Sequence, residues 1–132
     1  MVLVVAVEDD PINAVLVSTA LTRDGHQVLT APDGLGGLES VRTWRPDIVL
    51  LDVSLAGPMN GLDVCRELRR DPVTARIPVL MLSGWAFDTD LEAGRAAGAD
   101  GYLSKPFSAS DLQTMVGILL DRAAARALPA DP

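Results

Sequence analysis

A chain of 132 residues with 48% apolar side chains amounts to one domain, long enough to bury a core and too apolar for a disordered segment. Its formal net charge of −7 argues against nonspecific contact with nucleic acid, which needs a basic face. With Cys65 and His26 as the single cysteine and histidine, there is no disulfide framework, thiolate cluster or multi-histidine metal site.

The N-terminal stretch is apolar and turns acidic at Glu8 without the basic region of a signal peptide. No apolar run approaches the roughly 18 residues of a membrane span. A cytoplasmic protein without membrane association is expected. Val2 to Val7 has the continuous apolar character of a strand buried on both faces, and it ends in Glu8-Asp9-Asp10. Pro11 suits a first helical turn with Asp10 as N-cap. Ile12, Val15, Leu16 and Thr19 then recur at helical spacing to about Leu21, and Asp24-Gly25 closes the helix. Gln27 to Ala31 predicts a strand. Pro32-Asp33-Gly34 predicts a turn, and Leu35, Leu38 and Val41 a second helix ending before Pro46.

Asp47 to Asp52 is a second strand buried on both faces, with a carboxylate at its C-terminal end. A Gly- and Pro-rich loop, Val53 to Asn60, leads to a third helix spaced by Leu62, Cys65 and Leu68. Cys65 reads as a small buried hydrophobe. Pro78 to Ser83 is another apolar strand. Leu91, Ala93, Ala96 and Ala97 predict a fourth helix, and Gly101 to Ser104 a last strand followed by Lys105-Pro106-Phe107. Ser108 or Ser110 caps a final helix with Leu112, Met115, Val116 and Leu119 facing inward. The domain is expected over residues 1–122, with 123–132 an Ala/Pro-rich tail that frays.

Strand and helix alternate five times over. Such alternation with short connections predicts an α/β fold: a doubly wound (βα)5 array around a parallel five-stranded sheet, order 2-1-3-4-5, flavodoxin-like. In that order the first and third strands are neighbours at the switch point, where ligands bind. Glu8, Asp9 and Asp52 then converge, with Ser83 ending the fourth strand and Lys105 following the fifth. Each has a plainer explanation alone: an acidic turn capping a helix, a surface serine, an exposed lysine. Together they describe a site. Three close carboxylates need a counter-charge, which a hard divalent cation supplies through oxygen ligands. A carboxylate held between metal and lysine suits a nucleophile that accepts a phosphoryl group.

The chain resembles the receiver domains of two-component response regulators from about Val2 to Leu120. The likeness is carried by Val-Glu-Asp-Asp-Pro-Ile-Asn (7–13), Pro-Asp-Ile-Val-Leu-Leu-Asp (46–52), Pro-Val-Leu-Met-Leu-Ser-Gly (78–84) and Gly-Ala-Asp-Gly-Tyr-Leu-Ser-Lys-Pro-Phe (98–107), in that order. The resemblance implies Asp52 as phosphoacceptor, Asp9 as a direct Mg²⁺ ligand, Glu8 acting through water, and the Ser54 backbone carbonyl as a further ligand. Mn²⁺ would be able to substitute. It also implies that Ser83 and Lys105 contact the phosphoryl group, that the Lys105-Pro106 bond is cis, and that Tyr102 is a switch aromatic. For Tyr102, an aromatic simply packed on its strand is the other alternative.

Two departures from the family pattern stand out. Many receivers have a proline four residues after the phosphoacceptor, where this chain has Ala56, and Gly57-Pro58-Met59 makes the loop one residue longer. Trp85 lies two residues past Ser83, where an indole would either slow attack by water on the phosphorylated state or pack a loop.

A stand-alone switch is expected, with a receiver cut from a longer chain as the other alternative; the resemblance implies that it takes its phosphoryl group from a histidine kinase or histidine phosphotransfer protein. It would catalyse its own phosphotransfer and slow autodephosphorylation rather than act as an enzyme on other substrates. Its output would be protein contact through the fourth and fifth strand-helix face, as a monomer or weak dimer, with no nucleic acid bound. A phosphorylation-independent receiver-like binding module is the alternative. An aspartyl-phosphate hydrolase for small substrates would need a second acid where Ser54 stands. A flavin mononucleotide carrier would find its phosphate repelled by Glu8-Asp9-Asp10.

Overall fold

The computed structural model describes residues 2–84 and 88–127. The elements run β1 (Leu3–Val7), α1 (Pro11–Arg23), β2 (Gln27–Ala31), α2 (Gly34–Trp44), β3 (Ile48–Asp52), α3 (Gly61–Arg70), β4 (Val79–Ser83), α4 (Asp88–Ala97), β5 (Gly101–Ser104) and α5 (Ala109–Ala127). All strand pairs are parallel, in the order β2-β1-β3-β4-β5. The expected doubly wound architecture is present.

Successive side chains of a strand point to opposite faces, so each central strand feeds two cores. Val5, Val7, Val49, Leu51, Val79 and Met81 pack with Leu38 and Val41 of α2 and with Val64, Cys65 and Leu68 of α3. Val4, Ala6, Ile48, Leu50, Leu80 and Leu82 pack with Val17, Ala20 and Leu21 of α1 and with Leu112, Val116 and Leu119 of α5. Every residue of β3 and β4 is buried. That accounts for their unbroken apolar sequences.

Caps set the helix starts. Asp10 accepts the Ile12 N–H at 2.9 Å with Pro11 beside it, and Asn60 exchanges reciprocal bonds with Asp63 at 2.9 and 3.1 Å. Of the two serines before α5, Ser108 is the cap, its Oγ accepting the Asp111 N–H at 3.0 Å.

Several helical faces differ from the sequence expectation. The stripe that marks α1 as a helix is not its buried face: Ile12, Val15 and Leu16 are 77%, 65% and 42% exposed. In α2, Leu35 is likewise exposed, as are Leu91 and Ala96 in α4. These helices carry apolar residues on more than one side, and spacing alone does not say which side meets the sheet. Toward the C-terminus, α5 continues through Ala127, so residues 123–127 of the expected tail are helical, while residues 128–132 lie outside the described residues. Alanine is the strongest helix former, and an ion pair from Arg126 to Asp100 at 3.5 Å ties the extension down.

Asp100 is part of a larger fastening at the N-terminal edge of the sheet. Arg69 of α3 donates to the carbonyls of Gly98, Ala75 and Ile77 at 2.9, 3.1 and 2.7 Å, and to Asp100 at 2.7 Å. Asp100 also accepts the Val79 N–H at 2.9 Å. A cavity of about 500 Å³ lies beside this network, lined by Arg69, Ala75, Arg76, Asp100, Ala123 and Arg126.

Candidate functional site at the C-terminal edge of the sheet

The sheet register brings four strand ends together. Val7 pairs with Leu51, Asp52 with Leu82, and Ser83 with Ser104, so Glu8, Asp52, Ser83 and Lys105 leave the same edge. Backbone bonds hold these exits: Glu8 N–H to Ala31 O at 3.0 Å, Val53 N–H to Leu82 O at 2.9 Å, and Lys105 N–H to Ser83 O at 2.6 Å. The Lys105-Pro106 peptide bond is cis.

One carboxylate oxygen from each of Glu8, Asp9 and Asp52 lies within 4.8 Å of the others. Glu8 and Asp52 are buried, with Asp9 the least buried of the three. Lys105 reaches across the edge to this cluster. Its Nζ lies 3.1 Å from Glu8 Oε2 and 3.3 Å from Asp52 Oδ2. The Ser54 N–H donates to Asp52 Oδ1 at 3.0 Å, and the Asp10 N–H to Glu8 Oε1 at 3.3 Å.

Burial pushes the Glu8 carboxyl above its usual range; the hydrogen bond from Lys105 opposes this, and the neighbouring Asp52 charge adds to it. For Lys105, burial alone would favour the neutral amine, but the hydrogen bonds and charges of Glu8 and Asp52 outweigh it and raise its pKa. A single ammonium thus serves two buried acids, with a third acid beside them. An all-oxygen donor set of this kind matches a hard divalent cation, and no nitrogen or sulfur ligand competes for it among the described residues.

Ser83 is fully buried at the end of β4. Tyr102, three residues before Lys105, packs on the core beneath, with its ring over Gly94 of α4, where any Cβ would overlap it. Its hydroxyl is buried without a hydrogen-bond partner among the described residues. Trp85 lies outside the described residues. One contact has no counterpart in the sequence reading: the Ala56 N–H donates to Asp9 Oδ2 at 3.2 Å. A main-chain donor leaves no mark in residue identity, so only the folded loop reveals it.

Residues 4–117 match the family model of the response regulator receiver domain. The chain belongs to this family. It is 44% identical over 119 residues to the transcriptional regulatory protein CseB of Streptomyces coelicolor, across 90% of this chain and 49% of CseB. It is 40% identical over 119 residues to the DNA-binding response regulator MtrA of Mycolicibacterium smegmatis, across 90% of this chain and 50% of MtrA. The receiver therefore spans about half the length of the curated relatives it matches.

Solved structures agree on the fold. A response regulator from Chloroflexus aurantiacus superposes with a TM-score of 0.87 at 32% identity, covering 92% of this chain and 98% of its own. The receiver domain of a sensor histidine kinase from Pseudomonas aeruginosa superposes with a TM-score of 0.84 at 29% identity, covering 91% and 98%. That structure has a magnesium ion coordinated in its active site cleft. Among the described residues of the present receiver, no helix is long and apolar enough to cross a membrane.

Proposed function

We propose that this receiver is a phosphorylation switch in which Asp52 accepts a phosphoryl group from a phosphohistidine on a histidine kinase or phosphotransfer protein. The observation that carries it is the meeting of Asp52 with Lys105 at 3.3 Å inside a cluster of three carboxylates. An Asp52 oxygen attacks phosphorus. The P–O bond forms as the P–N bond breaks, and the imidazole nitrogen keeps the electron pair. Lys105 then pairs with the transferred phosphoryl oxygens, and the Ser83 hydroxyl donates to one of them. Glu8, Asp9, Asp52 and the Ser54 carbonyl would hold Mg²⁺, with Mn²⁺ able to substitute. Such an ion supplies neutralisation of charge on the phosphoryl oxygens. The magnesium in the Pseudomonas receiver supports this assignment by likeness.

The receiver's part ends with its own phosphorylation and slow autodephosphorylation; it does not turn over a separate small substrate. Output passes by protein contact through the α4, β5 and α5 face, with Tyr102 as the aromatic that responds when Ser83 engages the phosphoryl group. Exposed Leu91 of α4, which lines a cleft with Tyr102 of β5, offers apolar contact to a partner.

Intact mass after incubation with Mg²⁺ and a small phosphodonor tests the assignment, beside Asp52→Ala. One phosphoryl on the wild type and none on the variant is the expected result. An unmodified wild type that still binds Mg²⁺ would replace the switch with a phosphorylation-independent binding module.

A further inference from the structure

Resting on the cation assignment above, we propose that the Ala56 main-chain N–H is a positioning group for the metal site, holding the Asp9 carboxylate so that cation affinity depends on the loop after Asp52. The three acids are restrained unequally. Glu8 is fixed by Lys105 and the Asp10 N–H, and Asp52 by Lys105 and the Ser54 N–H. Asp9, the least buried, makes its hydrogen bond to Ala56 at 3.2 Å, and among the described residues its carboxylate has no other.

The donor itself is well anchored. Leu55, the preceding residue, is buried in the core, and Gly57 turns the chain with φ +95°. At the loop's end the Gly61 N–H bonds Val53 O at 3.2 Å, and a Cβ at Gly61 would overlap the Asp52 carbonyl oxygen. Ala56 is thus held from both sides. An amide on Oδ2 leaves Oδ1 of Asp9 for a cation and removes side-chain rotation that binding would otherwise have to suppress. Partners of this outer kind orient metal ligands and support affinity by roughly 10- to 100-fold. Proline at this position would have no N–H to give.

Titration of the metal-free protein with MgCl₂ by calorimetry tests the proposal on the wild type, Ala56→Pro, Ala56→Gly and Asp9→Asn. The expected result is roughly tenfold weaker binding by Ala56→Pro, rescue by Ala56→Gly, which keeps the N–H, and near loss in Asp9→Asn. Wild-type affinity in Ala56→Pro, with Asp9→Asn impaired, would overturn the positioning role alone. Equal binding by wild type and Asp9→Asn would overturn the cation assignment and the positioning role with it. If the proline disturbs the loop, hydrogen exchange at the Ala56 amide decides in its place. Slower exchange in wild type than in Asp9→Ala supports the bond, and equal rates overturn it.

Discussion

Lys105 stands closer to Glu8 than to Asp52, its Nζ 3.1 Å from Glu8 Oε2 against 3.3 Å from Asp52 Oδ2. Before any phosphoryl group arrives, the lysine is as much the partner of the buried glutamate as of the proposed phosphoacceptor.

Removing the lysine should therefore act through Glu8. With its pKa raised above 4.5, Glu8 binds a proton more readily folded than unfolded, so its ionisation costs stability as pH climbs above that value. Lys105, also raised, contributes stability that is fully present below 10.5 and lost as pH rises through its folded value. In metal-free buffer, Lys105→Met should fall further behind the wild type as pH rises from the acid side toward neutrality and Glu8 gives up its proton. The deficit expected at neutral pH is about 2 kcal/mol, below the range for fully buried pairs because Lys105 is partly exposed. Urea denaturation at several pH values measures it. A deficit independent of pH would locate the loss elsewhere.

Crowded acids with one ammonium also predict how the protein responds to metal. At tenfold excess over its dissociation constant, Mg²⁺ should stabilise the fold by about 1.4 kcal/mol, or roughly 4–8 °C in thermal midpoint. Asp9→Asn should melt higher than wild type without metal, because repulsion is relieved, and gain little from Mg²⁺. Differential scanning calorimetry with and without MgCl₂ checks both halves.

Gly61 packs against the Asp52 backbone so closely that a methyl group cannot enter. Gly61→Ala should cost about 2 kcal/mol through overpacking and slow phosphorylation of Asp52 by a small phosphodonor, since the carbonyl it displaces belongs to that residue. Normal phosphorylation in a destabilised Gly61→Ala would separate loop packing from the chemistry.

On α1, two apolar substitutions should differ sharply. Ile12 is 77% exposed, and Ile12→Ala should change stability by less than about 0.5 kcal/mol. Leu21 is fully buried, and Leu21→Ala should cost about 2–5 kcal/mol. Chemical denaturation of the two variants tests which face of the helix meets the sheet.

That contrast marks how far the sequence could be read. β3 and β4 were legible because burial on both faces demands unbroken apolar runs, and their order follows from the strand-helix alternation. Glu8, Asp9, Asp52 and Lys105 were legible as a site because each stands at a strand end, and topology brings those ends to one edge. α1 was harder: Ile12, Val15 and Leu16 share the helical period with Val17 and Leu21, and only packing selects the inner face. Ala123 lost its expected place in a frayed tail because a helix end can be secured by a distant partner, here through Arg126 on Asp100. The Ala56 amide was invisible for a different reason, since every residue but proline carries the same donor.

The Arg69 fastening gives the molecule a root and a tip. β4 and β5 begin at Val79 and Gly101, beside the carboxylate and carbonyls that Arg69 grips, and they end at Ser83 and Ser104, beside Asp52 and Lys105. The C-terminal end of α4 is moored at the root through Gly98, while its first residues follow the tip of β4. A substitution that loosens Arg69 is therefore met first at Val79 and Gly101, a full strand length from Asp52 and Lys105, and Arg69→Ala should lower stability while leaving the acidic edge assembled.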